Sequence, residues 1–276
     1  MKPKKRVFGT ILMVLLVIFL YAPIVYTVVF SFNDSKSLTK FAGFSTRWFE
    51  KMANDRTMIN GIVYTVVIAV IATVVATIVG TLTAIGLSKS HRILRSCVEQ
   101  VNELPMMNPD IVTAIGLLMF FSALHIEKGF VTLLLAHIMF CIPYVILSIM
   151  PKLRSLDPNL AEAAMDLGAT PIRALVSVII PQVMPGIISG ALIAFTMSFD
   201  DFVISYFATG NGVNNISIVV YTMRKRTNPS INALSTVVIV LITTGLILYN
   251  IFSAIGAKRR RREEERLKAQ MAEESV

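Results

Sequence analysis

Charged side chains are scarce in this chain. They make up 16% of its 276 residues, against 55% hydrophobic, whereas soluble globular domains carry about 25%. The deficit argues against a water-solvated domain and points to lipid as the solvent. Cysteine is scarcer still. Cys97 and Cys141 each lie in or beside an apolar stretch with no CxxC or Cys/His spacing, which argues against a disulfide framework and against a metal site. No GxxxxGK[ST] phosphate loop occurs, so any ATP used with this chain is hydrolysed by another polypeptide. No His/Cys/Asp cluster or nucleophile motif supports an enzyme, and no cofactor of its own is expected. No repeat with a period of roughly 20–50 residues is visible.

What fills the chain instead is long uncharged runs. A helix needs about 20 apolar residues to cross the hydrocarbon core, because its backbone amides have no water to bond there. Six segments qualify, at about 7–32, 59–87, 105–124, 129–150, 183–207 and 231–256. The first follows Lys2, Lys4, Lys5 and Arg6 and stays uncharged from Val7 to Asn33. That is longer than a signal-peptide core of about 7–15 residues, and a retained helix is expected. The sequence therefore predicts an all-α polytopic membrane protein, with a transmembrane domain over 1–256 and a charged tail over 257–276.

The formal net charge is +9. The basic residues stand between and beside the apolar runs, which suits membrane orientation better than nucleic-acid binding. With the N-terminus inside, seventeen Lys and Arg fall on the cytoplasmic side and nine outside. The positive-inside rule then places both termini in the cytoplasm. The first outer loop, with Trp48 and Phe49, is long enough for a short interfacial helix. In the tail, the basic run 258–262 reads as an anchor beside anionic lipid, and Glu264 and Lys268 form an i,i+4 pair in the favourable order.

The most informative stretch lies between the fourth and fifth segments, over about 152–182, and includes SLDPNLAEAAMDLGATPIRALVSVIIPQVMPG. Asp157 is expected to cap a helix with Pro158 at its first position. Glu162 follows where negative charge is favoured, and Gly168 supplies a stop. Leu160, Ala163, Ala164 and Leu167 recur at helical spacing. The predicted element is a small cytoplasmic amphipathic helix whose alanines let a partner protein approach closely.

This stretch resembles the EAA loop of ABC-importer permeases, in which Glu-Ala-Ala is followed after three residues by Gly and after nine more by Ile-x-Leu-Pro. Glu162, Ala163, Ala164, Gly168 and Pro181 are in register, with Val178 and Ile180 as conservative departures. The six segments, with this loop ahead of the last two, resemble the MetI-like fold of type I ABC importers. The strings NPDIVTAIGLL (108–118), EAAMDLGA (162–169) and SFDDFVIS (198–205) are similar to the PotC-type spermidine/putrescine permeases. The resemblance covers about residues 7–255. It implies a division of labour: this chain contributes the channel, a separate cytoplasmic ABC ATPase grips the loop, and an extracytoplasmic binding protein delivers polyamine. It also implies a second permease subunit, paired as a heterodimer, in the cell membrane.

Carboxylates within apolar runs are costly, about 2.5–3.5 kcal/mol at a helix centre on insertion scales, so they are candidates for the substrate pathway. Asp200 and Asp201 lie 15 residues or so beyond Pro185. At ~1.5 Å per residue they fall about 22 Å from the cytoplasmic end, about 100° apart on a continuous helix. Phe199, Phe202, Tyr206 and Phe207 surround them, and aromatic faces attract protonated amines. Capping or local pairing at the outer boundary is the other reading of the two acids. Asp110, after Asn108-Pro109, reads either as lining the inner pathway or as a favourable N-terminal helix charge. His137, alone on its segment, reads as a satisfied core histidine or an interhelical contact. Within the permease class another small solute stays open as cargo. A proton-coupled secondary transporter would explain the acids but not the docking loop.

Overall fold

The computed structural model describes residues 3–37, 39–210, 212–224, 228–245, 247, 248, 250, 251 and 256. The tail 257–276, with its basic run and the Glu264–Lys268 pair, lies outside the described residues, as do Lys225, Arg226 and part of the sixth expected span. The named elements are all helices. Among the described residues, one isolated antiparallel bridge, Asn33 to Phe44, occurs outside them. The chain divides into two compact units, Met1–Asp55 with Arg226–Val276, and Arg56–Lys225.

In the first unit, α1 (Pro3–Ser31) is apolar on all sides. Every large apolar side chain from Phe8 to Tyr26 is exposed, a surface that only lipid or another protein covers stably in a membrane. The loop after α1 is built around Asn33. Its Nδ2 donates to Ser37 O and Lys40 O, and its Oδ1 accepts from the Ala42 amide. Helix α2 (Arg47–Asn54), the short helix expected in the outer loop, buries Trp48 and Met52 one turn apart. Trp48 Nε1 donates to Asn33 O at 2.6 Å, so the indole hydrogen bond closes the loop against the helix. Within this unit Ser230–Gly245 (α12) is a shorter apolar helix.

In the second unit, α3 (Arg56–Ser88), α6 (Phe130–Arg154) and α9 (Ile180–Asp200) pack on one another. Hydrophobic attraction between helices is weak in lipid, and close backbone approach through small residues takes its place. A Cβ added at Gly80 of α3 would stand 2.8 Å from Val145 Cγ1, and one at Gly190 of α9 would stand 3.2 Å from Val145 Cα. Val145 is fully buried, held between a glycine of each neighbouring helix. Leu133, Ala136, Cys141 and Ile149 continue this face of α6 along the core.

Helices α4 (Arg92–Met107) and α5 (Asp110–Ala123) form a pair bent by 106°. The sequence predicts one span over 105–124; the structure puts the bend inside it. Pro109 has no amide hydrogen and pushes Asn108 into extended backbone, with φ −79° and ψ 144°. The short helices α7 (Leu160–Asp166) and α8 (Pro171–Ala174) lead through a π turn, Leu175–Ile179, into α9. Beyond α9 come α10 (Val203–Ala208) and α11 (Ile216–Arg224). Four described helices, Phe8–Ser31, Arg56–Ser88, Phe130–Arg154 and Pro171–Asp200, are long and apolar enough to cross a bilayer, and the bent pair is a further candidate.

Candidate functional site

The helix that carries Asp200 stops there. Asp201 is extended, with φ −66° and ψ 131°, so the two acids that interrupt the apolar segment expected over 183–207 also sit at a break in its helix. The cause is the Asp201 side chain. Its carboxylate accepts the Ile204 amide at 3.2 Å and the Ser205 amide at 2.7 Å, capping α10 in place of a further turn of α9. The capping alternative read from the sequence thus describes Asp201.

His137 of α6 spans the break. Its Nδ1 is 2.7 Å from Ser198 Oγ, in the last turn of α9, and its Nε2 is 3.0 Å from Ser205 Oγ, in α10. Nε2 also lies 3.6 Å from Asp201 Oδ2, with the two side chains 2% and 7% exposed. Asn215 closes the cluster. Its Nδ2 donates to Ser205 Oγ at 2.7 Å and to Asp201 O at 3.1 Å, while its Oδ1 accepts the Ile218 amide and caps α11. Thr65 of α3 accepts the Ile216 amide at 2.8 Å, and Thr132 of α6 donates to Ala208 O at 2.9 Å. The segment from the break to α11 is therefore fixed to α3 and α6 through buried hydrogen bonds. An unmade bond there would leave a buried polar group unsatisfied. His137 makes the interhelical contacts expected of it.

Asp200 has a different environment. It is exposed, and among the described residues no hydrogen bond or ion pair engages its carboxylate. It lines a cleft of about 290 Å³ together with Asp110, Asp201, Phe140, Met197 and Phe202. Sequence spacing placed Asp110 near the inner face and the acid pair towards the outer half; the structure brings all three to one cleft. Asp110 enters at the N-terminus of α5, where the helix dipole favours a carboxylate. Asp200 enters at the C-terminus of α9, where the unpaired carbonyls disfavour one. Those carbonyls and the acids add to one negative potential, which favours a cation. Tyr206 is not among the cleft's lining residues. It joins Phe202 at 5.7 Å and Tyr221 of α11 at 5.8 Å between ring centroids, with Phe202 and Tyr221 at 5.0 Å. Phe140, Asn215 and Tyr221 were not singled out by the sequence, since no local pattern joins them to the acids. Asn215 ahead of an apolar run did carry a capping signal.

The loop around Glu162 is ordered by turn chemistry. Asp157 Oδ1 accepts the Asn159 amide at 2.9 Å, an Asx turn, so Asn159 and not Asp157 is the N-cap and α7 starts at Leu160. Leu160 and Ala161 pack against the core, while Glu162 and Ala163 are exposed and Ala164 half-buried. The apolar stripe expected through Leu167 is thereby divided: Leu167 is 91% exposed and points away from the bundle. Gly168 ends the helix at φ +86°. Its amide bonds Met165 O at 2.8 Å and the Ala169 amide bonds Ala164 O at 3.1 Å, the paired closure that favours glycine. Thr170 then caps α8, with Pro171 at its first position. Pro181 follows the π turn, in which the Ile180 amide bonds Leu175 O five residues back. A wider turn relieves the clash of a proline ring with the preceding carbonyls.

A model of the family described as "Binding-protein-dependent transport system inner membrane component" matches residues 76–262. The chain is 38% identical over 229 residues to the putrescine transport system permease protein PotI of Escherichia coli (strain K12), covering 80% of this chain and 82% of that protein. It is also 38% identical over 231 residues to the spermidine/putrescine transport system permease protein PotC of Haemophilus influenzae, covering 83% and 90%. Among solved structures, a bacterial ABC transporter involved in the import of the acidic polysaccharide alginate superposes with a TM-score of 0.70 at 17% identity, covering 92% of this chain and 98% of that one. A complex of the alginate transporter with a pentasaccharide-bound periplasmic protein gives a TM-score of 0.64 at 14% identity, covering 88% and 91%.

Proposed function

The chain belongs to the family of binding-protein-dependent transport system inner membrane components, and on that premise we propose that it carries polyamines through the membrane as one permease subunit of an ATP-driven importer. The observation that carries the cargo assignment is the convergence of Asp110 and Asp200 on one cleft with aromatic walls. A polyamine is a flexible apolar chain bearing several protonated amines. Two carboxylates bind the amines, and Phe140 and Phe202 contact the carbons and attract the charge. The printed names of the relatives, putrescine and spermidine permeases, support the same cargo class.

The transport subunit is not itself the ATPase. Its partners are a cytoplasmic ABC ATPase and an extracytoplasmic binding protein, and the finer proposal is a heterodimer with a second permease, both termini of this chain being cytoplasmic. Glu162, Ala163, Ala164, Gly168 and Pro181 form the ATPase-coupling element. Helix α7 packs on the π turn that opens α9, and the far end of α9 is Asp200. A push on α7 thereby reaches the cleft along α9. The test is the ATPase rate of the assembled importer with its binding protein loaded in turn with putrescine, spermidine, an amino acid or a sugar. Stimulation by the polyamines alone is expected; equal stimulation by an uncharged solute contradicts the cargo assignment.

A further inference from the structure

The two adjacent acids have opposite bonding states, and this separates their roles. We infer that Asp200 is the substrate-facing acid and that Asp201 is a positioning residue which, with His137, holds the α9–α10 break open so that Asp200 points into the cleft. The inference rests on the reading of that cleft as the substrate pathway, but the placement of the two side chains can be tested without any assumed cargo.

The Asp201 carboxylate is spent on the protein. Each oxygen accepts a backbone amide of α10, from Ile204 and Ser205, and Oδ2 has the His137 ring beside it at 3.6 Å. An acid so engaged and only 7% exposed has little left to offer a passing cation. Without these bonds the first amides of α10 lose their cap, and continuation of the helix past residue 200 is favoured. Asp200 would then lie on a helical wall among side chains, not at a free C-terminus whose carbonyls share the cleft. His137 makes the break stable by bonding to both sides of it, Ser198 before and Ser205 after. Asn215 fixes the same junction from α11 through Asp201 O and Ser205 Oγ.

The chemistry gives each acid a distinct isostere test. Asparagine carries no charge and keeps one oxygen to accept an α10 amide, but it loses the second acceptor that aspartate supplies here. In the full importer with its binding protein and ATPase, Asp201→Asn is expected to lower the maximal rate of putrescine uptake while keeping KM within threefold, and Asp201→Ala, which loses both acceptors, to lower that rate further. Asp200→Asn is expected to raise KM at least tenfold. A Asp201→Asn variant that inserts and assembles normally, yet raises KM as much as Asp200→Asn does, overturns the inference. Accessibility supplies the cargo-independent arm. In a Cys97→Ala background, Asp200→Cys is expected to react with a cationic thiosulfonate at least tenfold faster when His137 is intact than when His137→Ala is added. Equal labelling of Asp200→Cys with and without His137 overturns the inference whatever the cargo. The labelling contrast without polyamine uptake would instead fault the cargo assignment alone.

Discussion

Asp110 and Asp200 meet at one cleft although 90 residues separate them, one at the start of α5 and the other at the end of α9. Each lies at a backbone break, the first after Pro109 and the second before the Asp201 cap. Asp110→Asn removes one of the two charges facing the cleft and is expected to raise the KM for polyamine uptake about tenfold, which corresponds to about 1.4 kcal/mol. Asp110→Asn with Asp200→Asn is expected to fall short of the product of the single effects, because groups sharing one ligand are not independent. Uptake kinetics in proteoliposomes measure both; an unchanged KM in the double variant removes the acids from the pathway.

The coupling element gives a prediction of a different kind. Gly168 has φ +86° and open space where a Cβ would stand, so a side chain there strains the backbone by about 1–2 kcal/mol and projects outward. Gly168→Trp and Glu162→Arg are both expected to leave the permease folded and inserted. Both should abolish the stimulation of ATP hydrolysis by loaded binding protein. Basal ATPase, stimulated ATPase and uptake measured on one preparation decide it, and normal coupled uptake by either variant counts against the docking role.

Much of this was legible in the sequence, and what was not has a physical cause. Of the six expected spans, four hold described helices long and apolar enough to cross a bilayer and a fifth is the bent pair; these follow from composition, since a lipid-solvated backbone has few choices. The Glu162–Gly168 element was legible because its turn chemistry is local, although the cap shifted from Asp157 to Asn159 once an Asx turn competed for the start. The break after Asp200 was not legible. An Asp within an apolar run reads equally as a helical residue or as a cap, and the outcome depends on His137, more than 60 positions earlier in the chain. The meeting of Asp110 with Asp200 was hidden for the same reason: the bend at Asn108-Pro109 sets the depth of Asp110, and residue spacing does not record a 106° bend.

The glycines of the second unit separate packing from conformation. Gly80→Ala places a methyl against Val145 at less than van der Waals distance, and overpacking of this kind costs about 1–3 kcal/mol. Gly86, in the same helix, has nothing within 4 Å of the added carbon. Gly86→Ala is therefore expected to be neutral or stabilising by up to about 1 kcal/mol, from helix propensity. Thermal unfolding of the detergent-solubilised importer should show Gly80→Ala below the parent and Gly86→Ala at or above it.

In α2, Trp48→Phe keeps the buried ring but removes the 2.6 Å bond to Asn33 O. Leaving that carbonyl unsatisfied is expected to cost about 1–3 kcal/mol. Limited proteolysis should then cut within 33–47 faster than in the parent, with the spans remaining intact.

The most direct measurement is uptake of labelled putrescine into proteoliposomes holding the assembled importer, with the binding protein outside and ATP inside. Uptake is predicted to require both ATP and the binding protein and to be indifferent to an imposed proton gradient. Uptake by this chain alone, driven by a proton gradient without ATP, would contradict the account.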